Sequence, residues 1–326
     1  MLGIWSPNEP PAPSSVRVVN STKLWQCKRV EILVENGSST DQKSDFPKAI
    51  LVCPVCKGGL HFSVELVRCS ECLIEFPQAE GAPYNLLPDF FTNYWTTSWK
   101  ERLREMENWY GDLLSSPVQA GNCFRQDYDP FESMLTDFRG RVLDLGGGNG
   151  VVRHYLSPTV EYCAIDPSPK WQTVEWAVIA PQFPCLTKPF AFVRAVGEYL
   201  PFPDGSFDGA LSFWSLNHVD QPQQVLREAG RVLKPGAKLL IVLEDMPPAF
   251  RDWPKRIPVW LGSAYRAKMA NDLSIWIRTG QWPLQTDHIR IRESDVRRWT
   301  DLQFEIRRRS WVRHYLTYEF RRRQGV

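Results

Sequence analysis

The chain lacks any apolar run of the ~18 residues that a membrane helix requires, so no membrane span is expected. Its N-terminus has no basic start followed by an apolar block, so no signal peptide is expected. It is short of net charge: 39 Lys and Arg against 37 acids leave +2, which by itself implies no polyanionic partner. Internal repeats and low-complexity tracts are also missing, which sets aside repeat architectures. What is present is a hydrophobic content of 43% over 326 residues, enough for one large α/β domain and something smaller. Charge is uneven: from Arg278 onward there are twelve Arg, no Lys and six acids.

The chain divides by composition. Residues 1–48 are an extension, partly flexible, rich at first in Pro and Ser, with a weak hairpin signal over 16–35. Residues 49–90 carry paired cysteines. Residues 91–138 read as linker helices, with Trp95, Trp99, Leu103, Met106 and Tyr110 at helical spacing. Residues 139–326 alternate strand and helix to about 245, the signature of a parallel sheet with covering helices. Strands are expected at Arg141–Leu145, Glu161–Ile165, Ala191–Arg194, Gly209–Phe213 and Lys238–Leu243. The helix Pro222–Leu233 should be stopped by Lys234-Pro235-Gly236. An aromatic-rich insertion, expected to act as a lid, follows over 246–300, with Trp253, Trp260, Trp276, Trp282 and Trp299, and then a closing antiparallel pair over Phe304–Trp311 and Tyr315–Phe320.

The stretch Val142-Leu-Asp-Leu-Gly-Gly-Gly-Asn-Gly150 runs an apolar strand into a glycine turn. Glycine lets the backbone approach a ligand closely, and the helix expected next would offer free N–H groups. A dinucleotide fingerprint would need a third glycine at Val151 or Arg153, and neither fits. Asp144-x-Gly146-x-Gly148-x-Gly150 does fit another pattern. With Asp166 closing the second strand, it resembles class I S-adenosyl-L-methionine-dependent methyltransferases. Gly197-Glu198-Tyr-Leu-Pro-Phe-Pro-Asp-Gly-Ser-Phe-Asp208 is similar to the signature of their ubiquinone and menaquinone branch. The resemblance implies a Rossmann-like seven-stranded sheet. It implies that Gly146, Gly148 and Gly150 line the pocket, that Asp144 holds the loop near the methionine end, and that Asp166 takes the ribose diol. It further implies Ile165 and Pro167 against adenine and Gly197, Glu198 and Phe213 in the wall. Val196 stands where that branch carries an acid, which leaves adenine to backbone groups or to Glu198.

Cys53-Pro-Val-Cys56 and Cys69-Ser-Glu-Cys72 are two C-x-x-C knuckles a dozen residues apart, a spacing that suits one tetrahedral Zn²⁺ with no open position. Disulfides and a redox dithiol are the alternatives. Methyl transfer from this cofactor takes place in a reducing compartment, which favours structural zinc and a cytoplasmic location. The segment Leu51–Pro88, with its Gly81-Ala82-Pro83 turn, resembles the zinc-ribbon activator subunit of tRNA and protein methyltransferases. The resemblance implies a module that packs in cis on the catalytic domain. Cys27, Cys123, Cys163 and Cys185 read as ordinary thiols.

For chemistry, Ser212-Phe-Trp-Ser-Leu-Asn-His218 ends a strand beside the expected methyl group, without the N-P-P-Y of enzymes acting on planar nitrogens. His218 is a candidate base or a strand-end hydrogen-bonding residue. Asp287-His288 is a candidate oriented pair, the carboxylate fixing the imidazole tautomer, or a surface loop. Asp220 and Glu244 are weaker candidates, and His61 and His154 read as structural. Three functions follow. The first is methyl transfer to a small-molecule acceptor, either a sugar or a hydroxylated, quinone-like metabolite. The second is an RNA methyltransferase, suggested by the ribbon and the Arg307–Arg309 and Arg321–Arg323 clusters, which otherwise read as a solvated face. The third is a non-catalytic cofactor-binding assembly module.

Overall fold

The computed structural model describes residues 46–78, 84–87, 97–172, 174–254, 266–285 and 288–325, all within one unit, Asp45–Val326. The expected 16–35 hairpin, Cys27, the 81–83 turn, Trp95, Trp260 and Asp287 lie outside the described residues.

Short strands come first. β1 (Leu60–Phe62), β2 (Leu66–Cys69) and β3 (Glu75–Pro77) form an antiparallel sheet. Their inward residues Val67, Cys69 and Phe76 are fully buried. A two-residue strand β4 (Tyr84–Asn85) leaves this module. Helices α1 (Thr97–Leu114), α2 (Pro117–Tyr128) and α3 (Glu132–Leu135) follow.

The large sheet comes next. β5 (Arg141–Leu145), β6 (Glu161–Asp166), β7 (Ala191–Arg194) and β8 (Phe207–Phe213) pair in parallel; nearly every residue in them except the ends is buried, as strands covered on both faces must be. Helix α4 (Pro222–Val232) leads into β9 (Leu233–Leu243). Beyond α5 (Arg266–Thr279) and α6 (Glu293–Thr300), β10 (Phe304–Val312) and β11 (Tyr315–Arg322) close the sheet as the expected antiparallel pair.

The spatial order is β10-β11-β9-β8-β5-β6-β7-β4. Its first seven members are the seven-stranded arrangement expected. The eighth is an addition: β4 joins in parallel on the free edge of β7, and the Leu86 N–H donates to the Arg194 carbonyl at 2.9 Å. The four-cysteine segment is therefore tied to this sheet. The Val52 N–H donates to the Pro201 carbonyl at 3.0 Å. Lys57 Nζ donates to the Leu200 carbonyl at 3.1 Å and to Glu228 of α4 at 2.8 Å. Despite its burial, Glu228 is held below the usual carboxylate range by Arg231 and Lys57.

Three local expectations are corrected. The glycine loop leads into one 3-10 turn, Val151–His154, and not into a full helix. The covering segment after β6 is likewise built of 3-10 turns, Pro169–Gln172, Val174–Ile179 and Pro184–Thr187. Lys234-Pro235-Gly236 ends α4 but does not leave the sheet, because β9 already begins at Leu233 and shifts register against β8 between Phe207 and Gly209.

Candidate functional site

In this strand order the chain turns opposite ways from β5 and from β8, and the crevice at their carboxyl ends is where such sheets place ligands. A cleft opens there, with about 1090 Å³ of empty space, part of it open to solvent. Its floor is the glycine loop, held by Ser215, whose Oγ donates to the Leu145 carbonyl at 2.6 Å and lies 2.9 Å from the Ser212 Oγ. Gly146 has φ 70°, and a Cβ on it would sit 2.4 Å from that of Ser215, so no other residue fits.

Gly146, Gly148, Asp166, Pro167, Gly197, Glu198 and Phe213 all line this cleft. Gly150 and Asp144 do not reach its wall. Gly150 faces Phe190 and Arg153. Asp144 lies beneath the loop, where a Cβ on Gly147 would meet its carboxyl at 2.8 Å. Gly147, the middle glycine passed over by the spacing pattern, lines the cleft instead.

Asp166 is 5% exposed, and its Oδ1 accepts the Ser168 N–H at 2.9 Å. Burial pushes its carboxyl up to about 7. Asp144 is 3% exposed and accepts the Tyr162 hydroxyl at 2.7 Å; burial pushes it too up to about 7. Glu198 is committed to the start of α4, its Oε1 accepting the Asp220 and Gln221 N–H groups at 3.2 Å each. Asn149 Nδ2 and Trp214 Nε1 are buried at this cleft without a hydrogen-bond partner among the described residues.

The roof comes from the expected linker helix. Trp99, Arg102, Leu103, Met106 and Tyr110, read as a linker helix, line the cleft from α1. Arg102 reaches Asp220 at 3.1 Å, and Glu107 meets Ser168 and Lys170 at 2.5 and 2.9 Å. The 246–300 insertion, by contrast, contributes only Gln285 and His288, among the described residues, to the two cleft walls.

A second cleft of about 1060 Å³ adjoins the first, and Met106, Tyr110, Phe124, Trp214 and His218 border both. His218, Glu244 and His288 meet in its wall. The carboxylate that orients His288 is Asp245, at 2.8 Å from Nδ1. Asp287, the expected partner of His288, lies outside the described residues. Asp245 was legible only as the residue after a strand-end glutamate. Trp214 and Asp245 both adopt left-handed backbone, φ 58° and 49°, a strain that concentrates at functional sites.

Residues 143–241 match the methyltransferase domain family. An uncharacterised methyltransferase of Mycobacterium leprae is 38% identical over 106 residues, covering 32% of this chain and 36% of its own. A ubiquinone biosynthesis O-methyltransferase of Xanthomonas oryzae is 32% identical over 145 residues, 44% of this chain and 58% of its own. The chain thus spans 36% to 58% of the length of these curated relatives. Among solved structures, a Burkholderia thailandensis 1,6-didemethyltoxoflavin-N1-methyltransferase with bound S-adenosylhomocysteine aligns with a TM-score of 0.43 at 17% identity. It covers 82% of this chain and 100% of its own. The matched stretch spans β5 to β9, the part of the sheet that builds the first cleft.

The buried charge of Asp144 carries a pH prediction. Its folded-state value of about 7 lies above the ordinary 3.8. The native state therefore binds the proton more tightly, and stability falls as pH rises between these values. Asp144→Asn removes that titration. The variant should melt at least about 2 °C above the parent at pH 8, the size of a ~1 kcal/mol effect in a domain this large, with a smaller gain at pH 5. Melting curves at both pH values test this; an equal gain at both refutes it.

Proposed function

We propose that the whole chain is an S-adenosyl-L-methionine-dependent methyltransferase acting on a small-molecule acceptor, hydroxylated or quinone-like, with a zinc ribbon packed in cis on its catalytic domain. The observation that carries the acceptor class is the second cleft, which shares a wall with the first and is edged by Trp109, Tyr110, Phe124, Trp214 and Tyr315. Aromatic walls along a cleft suit a flat or ring-shaped molecule. The relative in Xanthomonas, named for ubiquinone biosynthesis, supports the same class.

In this reading Gly146, Gly148 and Asp166 hold the nucleoside, with Pro167, Gly197 and Phe213 in the wall, Asp144 supporting the loop from below and Gly150 shaping its far end. The cofactor supplies an activated methyl group. The protein holds the acceptor in line and takes its proton, with His218 or His288 placed to do so. Zn²⁺ would sit among Cys53, Cys56, Cys69 and Cys72. Their Sγ atoms pair at 3.6 Å (Cys53, Cys72) and 3.4 Å (Cys56, Cys69), near the ~3.8 Å of four thiolates about one ion.

The arginine clusters speak against an RNA surface, because each member has a partner. Arg307 pairs with Glu305, Arg308 with Glu319, and Arg309 with Asp252 and Glu293. Arg321, Arg322 and Arg323 donate to the carbonyls of Gly236, Gly230 and Asp301. The test is methyl transfer from labelled cofactor to cell extract, with and without nuclease. The expected label enters the small-molecule fraction and survives nuclease. Label lost on nuclease treatment would favour the RNA reading, and cofactor binding without any transfer would favour the assembly module.

A further inference from the structure

His218, Glu244 and His288 come from three separate segments: the turn after β8, the end of β9 and the loop before α6. Asn217, which is 1% exposed, fastens all three. Its side-chain amide donates to the Glu244 carbonyl at 3.2 Å and accepts the Glu244 N–H at 3.1 Å. Its own carbonyl accepts the Ile289 N–H at 2.8 Å, next to His288. The cluster is thus held by the backbone and does not result from loose surface side chains.

Its internal spacing is informative. The ligand atoms of the three residues lie within 4.8 Å of one another. His288 Nε2 stands 3.4 Å from Glu244 Oε2. That is beyond the usual 2.7–3.2 Å of an N–H···O bond. It equals the separation of about 3.4 Å between two donors placed ~2.1 Å from one ion at tetrahedral angles. His288 Nδ1 is meanwhile engaged by Asp245 at 2.8 Å, which leaves Nε2 as the ring's donor. A carboxylate behind a histidine is how proteins aim an imidazole at a metal.

We propose that His218, Glu244 and His288 form a site for a divalent transition-metal cation in the wall of the second cleft, with Asp245 as a positioning residue. Two imidazoles and one carboxylate suit Zn²⁺, Fe²⁺, Co²⁺ or Ni²⁺. Three protein ligands leave positions open toward the cleft, where an acceptor hydroxyl would bind; with the ion in place His218 and His288 serve as ligands instead of as the base. The site is distinct from the four cysteines, which present sulfur only. It rests on the methyltransferase reading only for what the ion would hold, not for the ion itself.

The probe is Co²⁺, added to the full-length protein with its cysteine site kept zinc-loaded. The expected result is uptake of one equivalent with visible d–d bands and no thiolate charge-transfer band. His218→Ala and Glu244→Gln should each weaken uptake by about tenfold or more, and Asp245→Asn by about 10–100-fold. Asparagine tolerates the left-handed backbone at 245, so a normal melting curve for that variant separates lost affinity from lost fold. No uptake by the parent, uptake carrying a thiolate band, or uptake unchanged in folded variants would each overturn the proposal. Calorimetry with S-adenosylhomocysteine on the same samples keeps the two readings apart. Nucleoside binding without Co²⁺ uptake sinks the metal site alone; Co²⁺ uptake without nucleoside binding upholds it and sinks the cofactor reading.

Discussion

Replacing Asp166 by alanine is expected to lower the affinity for S-adenosylhomocysteine by about 10²–10⁴-fold. The residue closes β6 at the floor of the first cleft, and its carboxylate is engaged on one oxygen by Ser168. Asp166 also lines the cleft, where a vicinal diol would donate two charge-assisted bonds of about 1.5–3 kcal/mol each. Because burial lifts the carboxyl to about 7, the parent must lose a proton to accept those bonds at lower pH. Its affinity should therefore decline as pH falls through 7, and the alanine variant should lack that dependence. Calorimetry at pH 6 and pH 8 reads both effects. Unchanged affinity at pH 8 would place the nucleoside elsewhere.

Cys53→Ser should have the largest effect on stability. Cys53 is fully buried, beside the module's small core of Leu51, Val67 and Phe76. Three short strands cannot bury enough apolar surface to be stable alone. Structural zinc in peptides of this kind contributes about 10–16 kcal/mol of apparent binding energy, and one missing thiolate forfeits much of it. The loss would spread. The free edge of β7 would lose β4, and Glu228 would lose Lys57. Zinc content, melting temperature and turnover measured together decide the matter: the expected protein is zinc-depleted, less stable and prone to aggregate. A zinc-free variant with parental melting and turnover would remove the metal from the account.

The sheet was legible because its strands are apolar runs bounded by turn residues, as in Val142–Leu145 before three glycines. The closing pair was legible from alternation alone. The candidate cleft was half legible. Gly146, Gly148, Asp166, Pro167, Gly197, Glu198 and Phe213 line the cleft, and it was the family resemblance of the motifs that carry them that pointed there. Residues brought in from a distance could not be assigned. The α1 helix shows an amphipathic pattern, but nothing in it says which surface its apolar face covers. Asp245 takes its place from a left-handed turn and from a histidine 43 positions away. The helix expected after Gly150 is a single 3-10 turn, Val151–His154, whose Arg153 donates to the distant Cys185 and Lys188 carbonyls. Gly150 and Asp144 fit the spacing pattern yet support the loop from behind.

The union of β4 with β7 has a consequence for how the cysteine module acts. A separate activator subunit must find its partner in solution, and the complex thins out as protein concentration falls. Here a covalent tether sets an effective concentration that dilution does not alter. The ratio of module to catalytic domain is one to one at any level of expression. Whatever stability the module confers should therefore be the same at nanomolar as at micromolar enzyme.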